Sequence, residues 1–98
     1  MKFTKGIFLI RMKNGRNLGT KGYSFTHDGL DDEKLFVRKN FEGTWTVSEY
    51  KSGQRIAPEY KTRKQAAEMA IKKILTVGLP KFHRERNEAV KDCGIANQ

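Results

Sequence analysis

The residues that could do chemistry are few: His27 and His83, the single cysteine Cys93, and one run of neighbouring carboxylates, Asp31-Asp32-Glu33. A nucleophile needs a base that is itself oriented by a third group, and neither histidine stands in a recognised catalytic spacing from Cys93. Two histidines and one cysteine scattered along the chain give no structural zinc pattern, which wants four ligands in paired spacings. The acidic trio lacks the alternate-position ligands and central glycine of a calcium loop, so it reads as a solvated turn. The glycines occur singly and form no phosphate loop. The chain is therefore expected to be neither an enzyme nor a metal or cofactor protein.

What remains is positive charge on a regular framework. The 98 residues hold 20 Lys and Arg against 11 Asp and Glu, a net charge of +9, which favours anionic partners. With one cysteine no internal disulfide can form, and a reducing, cytoplasmic setting is expected. The apolar run Gly6 to Ile10 is too short for a signal peptide or a membrane span and is read as strand.

The framework is most legible between Leu35 and Ile74. Leu35–Lys39, Thr44–Tyr50 and Gln54–Tyr60 alternate with period two and are separated by Asn40, Gly43 and Ser52-Gly53. Leu35, Val37, Trp45, Val47 and Ile56 share one parity and predict an apolar face. Arg38, Asn40, Thr44, Thr46, Ser48, Arg55 and Tyr50 fall on the other, read as wet. Pro58 lacks a ladder donor and marks the third strand as an edge. Phe36, Tyr50 and Tyr60 are candidate stacking rings, and Trp45 is assigned to the core.

Thr62-Arg63-Lys64-Gln65 fits a capping box, and Ala67, Ala70, Ile71, Ile74 and Leu75 recur at helical spacing until Gly78-Leu79-Pro80. Lys81 to Asp92 reads as a second helix with Phe82, Ala89 and Val90 as its stripe, and Ile95 to Gln98 as a frayed end. Upstream, Ile7–Met12, apolar on both parities, suggests a strand covered on both faces. Asn14-Gly15 offers a tight type I′ turn into a returning strand, Arg16–Phe25, where Gly19 and Gly22 suggest a bulge or close backbone approach. The fold class is α+β in a single domain: a small antiparallel sheet made of a basic hairpin (1–30) and a three-stranded unit, with a polar segment separating the two, packed against one amphipathic helix in a βββα unit (35–77), and followed by a C-terminal helix (80–93).

The succession Gly43-Thr44-Trp45, Ser52-Gly53, Thr62 and Ala66-Ala67 resembles the three-stranded-sheet-plus-helix DNA-binding domains of plant AP2/ERF transcription factors and the arm-binding domains of tyrosine integrases. The resemblance covers about forty residues and implies that the sheet reads the major groove through Arg38, Thr46 and Arg55. It also implies a free-standing accessory module of the kind bacteriophages and mobile elements encode.

From the residues themselves, a β-ribbon fits the major groove, where Arg bonds guanine and Thr or Asn reads neighbouring edges. Arg38, Asn40, Thr46 and Arg55 would make those contacts. Lys61, Arg63, Lys64, Lys81, Arg84, Arg86 and, on the hairpin, Lys13 and Arg16 would meet phosphates. Arg63 and Lys64 oppose the dipole at a helix N-terminus, which asks for a further reason. The expected function is a small basic nucleic-acid-binding accessory or regulatory protein acting on duplex DNA, with RNA as a lesser possibility. The alternative is a protein-binding inhibitor or adaptor that blocks an acidic or nucleic-acid-binding groove of a partner enzyme. No membrane partner is expected, and the oligomeric state is open.

Overall fold

Alternating apolar residues in the first half and helical spacing in the second produce the elements in that order. The computed structural model describes residues 2–12, 14, 16–30, 33–56 and 58–97. They form β1 (Thr4–Arg11), β2 (Asn17–Phe25), a short 3-10 turn at Asp28–Leu30, β3 (Leu35–Lys39), β4 (Trp45–Glu49), α1 (Arg63–Val77) and α2 (Leu79–Cys93). The strands make one antiparallel sheet in the order β1-β2-β3-β4, an α+β fold. Among the described residues no helix is long and apolar enough to cross a membrane.

The hairpin is not set apart from the main unit: Tyr23–Phe25 of β2 pair with Val37–Leu35 of β3, and Leu30 in the connection is fully buried. Nor is its turn the tight two-residue kind. Arg11 pairs with Asn17, and the Met12 amide donates to the Arg16 carbonyl at 2.8 Å. Three residues, Lys13 to Gly15, thus separate the ends; Lys13 and Gly15 lie outside the described residues. Gln54–Tyr60 does not form the expected regular strand. Among the described residues it pairs with β4 through isolated bridges, Trp45 to Tyr60 and Ser48 to Arg55, with Pro58 in the interval where no ladder donor is available.

Helix α1 starts where the sequence says. Thr62 is extended and its Oγ1 accepts from the Gln65 amide at 3.1 Å, satisfying an amide the helix leaves orphaned. Ala66, Ala67, Ala70, Ile71 and Ile74 pack on Phe25, Leu35, Val37 and Val47 to make the main core. Leu75, assigned to the same stripe, is exposed. Gly78 caps the end of α1 and the start of α2 at once, so α2 begins at Leu79 with Pro80 in its first turn. Proline is tolerated there because its missing N–H has no intrahelical partner to lose.

The opposite face of the sheet, expected to be wet, carries a second core. Phe8, Ile10 and Phe36 are buried there with Tyr50 packed against them. In a flat sheet Phe8, two strands and four residues away from Phe36, would lie about 16 Å from it. Their rings instead stack at 5.1 Å. Beyond Tyr23 the β1–β2 arm leaves β3 and curls over this face. Gly22 permits the departure, since a Cβ there would stand 2.7 Å from the Val37 carbonyl oxygen. The arm buries one face of β1 only, and Ile7 on its outer face is 76% exposed, so the strand is not covered on both sides.

The curled strand is held along its free edge by residues distant in sequence. The Arg11 amide donates to the Gly53 carbonyl at 2.9 Å. Gly53 has φ +71°, and a Cβ there would lie 3.0 Å from both the Ala96 Cβ and the Leu9 carbonyl oxygen. Both the left-handed backbone and the contact require glycine. The turn carrying it is fixed by buried Glu49, whose carboxylate accepts the amides of Lys51 and Ser52 at 2.7 Å each. Of the segment expected to fray, Ala96 and Asn97 are held by hydrogen bonds, while Gln98 lies outside the described residues. Asn97 accepts the Leu9 amide at 2.8 Å and donates to the carbonyls of Leu9 and Tyr50 at 2.9 and 2.8 Å, while the Ala96 amide donates to Lys51. Asn97→Ala is expected to lower stability by about 1–3 kcal/mol, because it strands the β1 edge groups. A lowered urea midpoint with an unchanged m-value would report it.

Candidate nucleic-acid interface

Cross-strand pairing sorts the basic residues onto two faces. On the inner, arm-covered side Thr46 is 1% exposed and Ser48 2%, so Thr46 cannot meet a base edge. Phe36, a candidate stacking ring, is buried in the same second core. The curl of the arm closes the middle of the ribbon expected to read DNA. Arg38 and Arg55 survive at its rim, Arg55 exposed and Arg38 half-buried. The Arg38 guanidinium donates to Asn40 Oδ1 at 2.8 Å, and its buried Nε has no hydrogen-bond partner among the described residues. Burial, and then the charge of nearby Arg55, push the Arg38 pKa below its ordinary value, with Glu59 opposing. Asn40 is engaged within the protein, donating to Thr44 Oγ1 and Glu59 Oε1 at 3.2 and 2.8 Å.

The outer face, on which α1 packs, is only partly covered by that helix. Register puts Lys5 opposite Tyr23, Lys21 opposite Ile7, and Lys39 opposite Trp45, all on the same side as Val37. On this side Lys5, Lys21, Tyr23, Lys39 and Trp45 line an open groove of about 570 Å³, with Gly19, Thr20 and Gly22 completing its wall. Three lysines from three strands line it and, among the described residues, no carboxylate does. Its floor is aromatic. Tyr23 and Trp45 stand 6.3 Å apart between ring centroids, and Phe3 continues the row at 6.4 Å from Tyr23. Trp45 is half-buried, resting on the main core while also lining the groove, so it belongs to both. Lys39 Nζ lies 5.9 Å from the Trp45 ring.

Arg63 joins this row. Its guanidinium carbon lies 4.5 Å from the centroids of both Phe3 and Tyr23, a cation–π contact at each ring. That supplies the reason for a cation at a helix N-terminus, where the dipole disfavours it by a few tenths of a kcal/mol. Lys61 and Lys64 are exposed beside it, Lys64 in a weak surface pair with Glu68 at 4.0 Å. Tyr60 is half-buried against the main core.

The remaining candidates scatter. Arg84 and Lys81 are exposed on α2, Lys81 with Glu85 at 4.0 Å, and Arg16 is exposed beside the hairpin turn; the assignment of Lys13 lies outside the described residues. Arg86 is a structural residue. Its guanidinium grips both carboxylate oxygens of Glu33, and His83 Nε2 lies 3.2 Å from the same carboxylate. Glu33 is therefore buried and paired, not part of a solvated acidic turn, while Asp31 and Asp32 lie outside the described residues. Arg11, on the basic hairpin, donates to the carbonyls of Cys93 and Gly94 at 2.8 Å, where the α2 terminus favours a cation. Among the described residues no group of three or more His, Cys, Asp or Glu could hold a metal ion. Comparison of the chain with models of known protein families, with curated proteins and with solved structures finds no match in any of the three.

Proposed function

We propose that the protein is a small basic nucleic-acid-binding accessory protein that engages DNA through the outer face of its sheet. The observation that carries this reading is the groove lined by Lys5, Lys21 and Lys39 together with Tyr23 and Trp45, with no acid among its described lining residues. Cations spaced along a track match a phosphate backbone, and aromatic rings beneath them offer base or sugar contact. Arg38 and Arg55, close enough at the opposite rim for their charges to interact, favour a second anion contact. Duplex DNA spanning both would use the lysines for position and the arginines for sequence.

Binding to a fluorescein-labelled duplex is expected to weaken linearly in log salt. The triple variant Lys5→Ala/Lys21→Ala/Lys39→Ala should reduce the slope by about 2–3 and the affinity at low salt by tenfold or more. Arg38→Ala and Arg55→Ala should relax sequence preference with smaller effects on that slope. A salt-independent titration, or a triple variant that binds like the parent, overturns the reading. Binding confined to an acidic protein surface would favour the inhibitor or adaptor role instead.

A further inference from the structure

We propose that Phe41, at the tip of the β3–β4 turn, is a nucleobase-stacking residue at the end of the lysine groove; this rests on the nucleic-acid reading above. The ring is 107% exposed. A single exposed hydrophobe is ordinary, so the inference depends on how this one is mounted and what flanks it.

The mounting is rigid. The Gly43 amide donates to the Asn40 carbonyl at 3.0 Å and the Asn40 amide to the Thr44 carbonyl at 2.6 Å, with Gly43 at φ +92° closing the turn. The Asn40 side chain braces the same turn from three directions, through Arg38, Thr44 and Glu59. A ring presented on a fixed turn loses little backbone freedom when it meets a partner, which is what preorganised recognition requires.

The flanks are cationic. Lys39, two residues before Phe41, belongs to the groove and lies beside Trp45; Arg38 stands on the opposite face with Arg55 near it. Glu42 adjoins the ring, while Glu59 is held by Asn40. A phenyl group could also enter an apolar pocket of a protein or of a second copy. Cations on both faces of the strand favour a partner that presents regular negative charge next to a flat apolar surface, which describes a nucleic acid. Apolar rings so placed wedge against bases while neighbouring cations hold the phosphates.

The test uses the full chain with oligonucleotides carrying 2-aminopurine, as single strands and as duplexes, read by 2-aminopurine emission and by affinity. Phe41→Ala is expected to weaken binding about tenfold or more, to leave the salt slope unchanged and to abolish the emission change; Phe41→Trp should restore affinity. An effect on single strands alone identifies an unpaired base as the ligand, and an effect on both identifies entry into the duplex stack. Phe41→Ala binding like the parent, while the lysine triple variant still weakens, overturns the stacking role and leaves the nucleic-acid reading standing. No binding by the parent overturns both. A change from oligomer to monomer on sedimentation of free Phe41→Ala would assign the ring to self-association and overturn the proposal.

Discussion

Phe36→Ala is expected to lower the free energy of unfolding by about 3–5 kcal/mol, the range for a buried aromatic truncation. The reason is the small size of the second core. Phe36 has no exposed surface, stacks on Phe8 with an interplanar angle of 16°, and lies under a strand whose other buried anchor is Ile10. Phe8 in turn meets the Tyr50 ring edge-on at 5.9 Å. A cluster with so few members cannot collapse to fill a phenyl-sized hole, because β1 is pinned at its edge by Gly53 and Asn97. The substitution should therefore free the arm before the main core. Hydrogen exchange at the amides of Leu9 and Arg11 is expected to accelerate more than at Val37 or Val47. Uniform acceleration across all four would show that the two cores unfold together.

Arg86→Ala is expected to cost a similar 3–5 kcal/mol, by a different route. Glu33 has a side chain only 8% exposed, and without the guanidinium its carboxylate is left beside His83 Nε2, 3.2 Å away, which makes no hydrogen bond among the described residues. Leaving one member of a buried pair unpaired costs more than the pair contributes, since the desolvation of the survivor is no longer offset. The paired replacement Glu33→Leu/Arg86→Met should then recover most of the loss, and urea melts of the parent, single and double variants form the required cycle. A double variant as unstable as Arg86→Ala would mean that the two side chains act chiefly by shape. Under the nucleic-acid reading proposed above, Arg86→Ala should leave the affinity of the folded protein for DNA unchanged, whereas Arg84 is an exposed surface cation.

Much of the fold is legible in short windows of sequence because its causes are local. The alternation of Leu35, Val37 and Val47 identifies the face that α1 covers, and Thr62 and Gly78 bound that helix through caps made within one turn. The errors occur where a distant segment decides. Arg38, Thr46 and Ser48 share a parity that looks solvent-facing until β1 is folded over it, and nothing near Phe36 announces Phe8. Glu33 and Arg86 are 53 residues apart, so one reads as part of an acidic turn and the other as a surface base. The groove was missed through register. A two-residue turn at Asn14-Gly15 would set Lys5 opposite Ser24; the longer turn found sets it opposite Tyr23. A one-residue slip exchanges the faces of a strand, and only the observed register gathers Lys5, Lys21 and Lys39. The signal available was the matching parity of the three lysines with Tyr23 and Trp45.

The way β1 is fastened has a kinetic meaning. Beyond its hairpin partner, the strand takes its bonds from Gly53, and from the end of α2 and Asn97 across sequence separations of 82 to 88 residues. Those loops must close before the bonds that reward closure exist. β3, β4 and α1 rest on much shorter separations, so they are expected to assemble first and β1 to dock last. Until it does, Phe36 lies open on a bare sheet face, and that waiting period is when the chain is most exposed to pairing with another copy of itself.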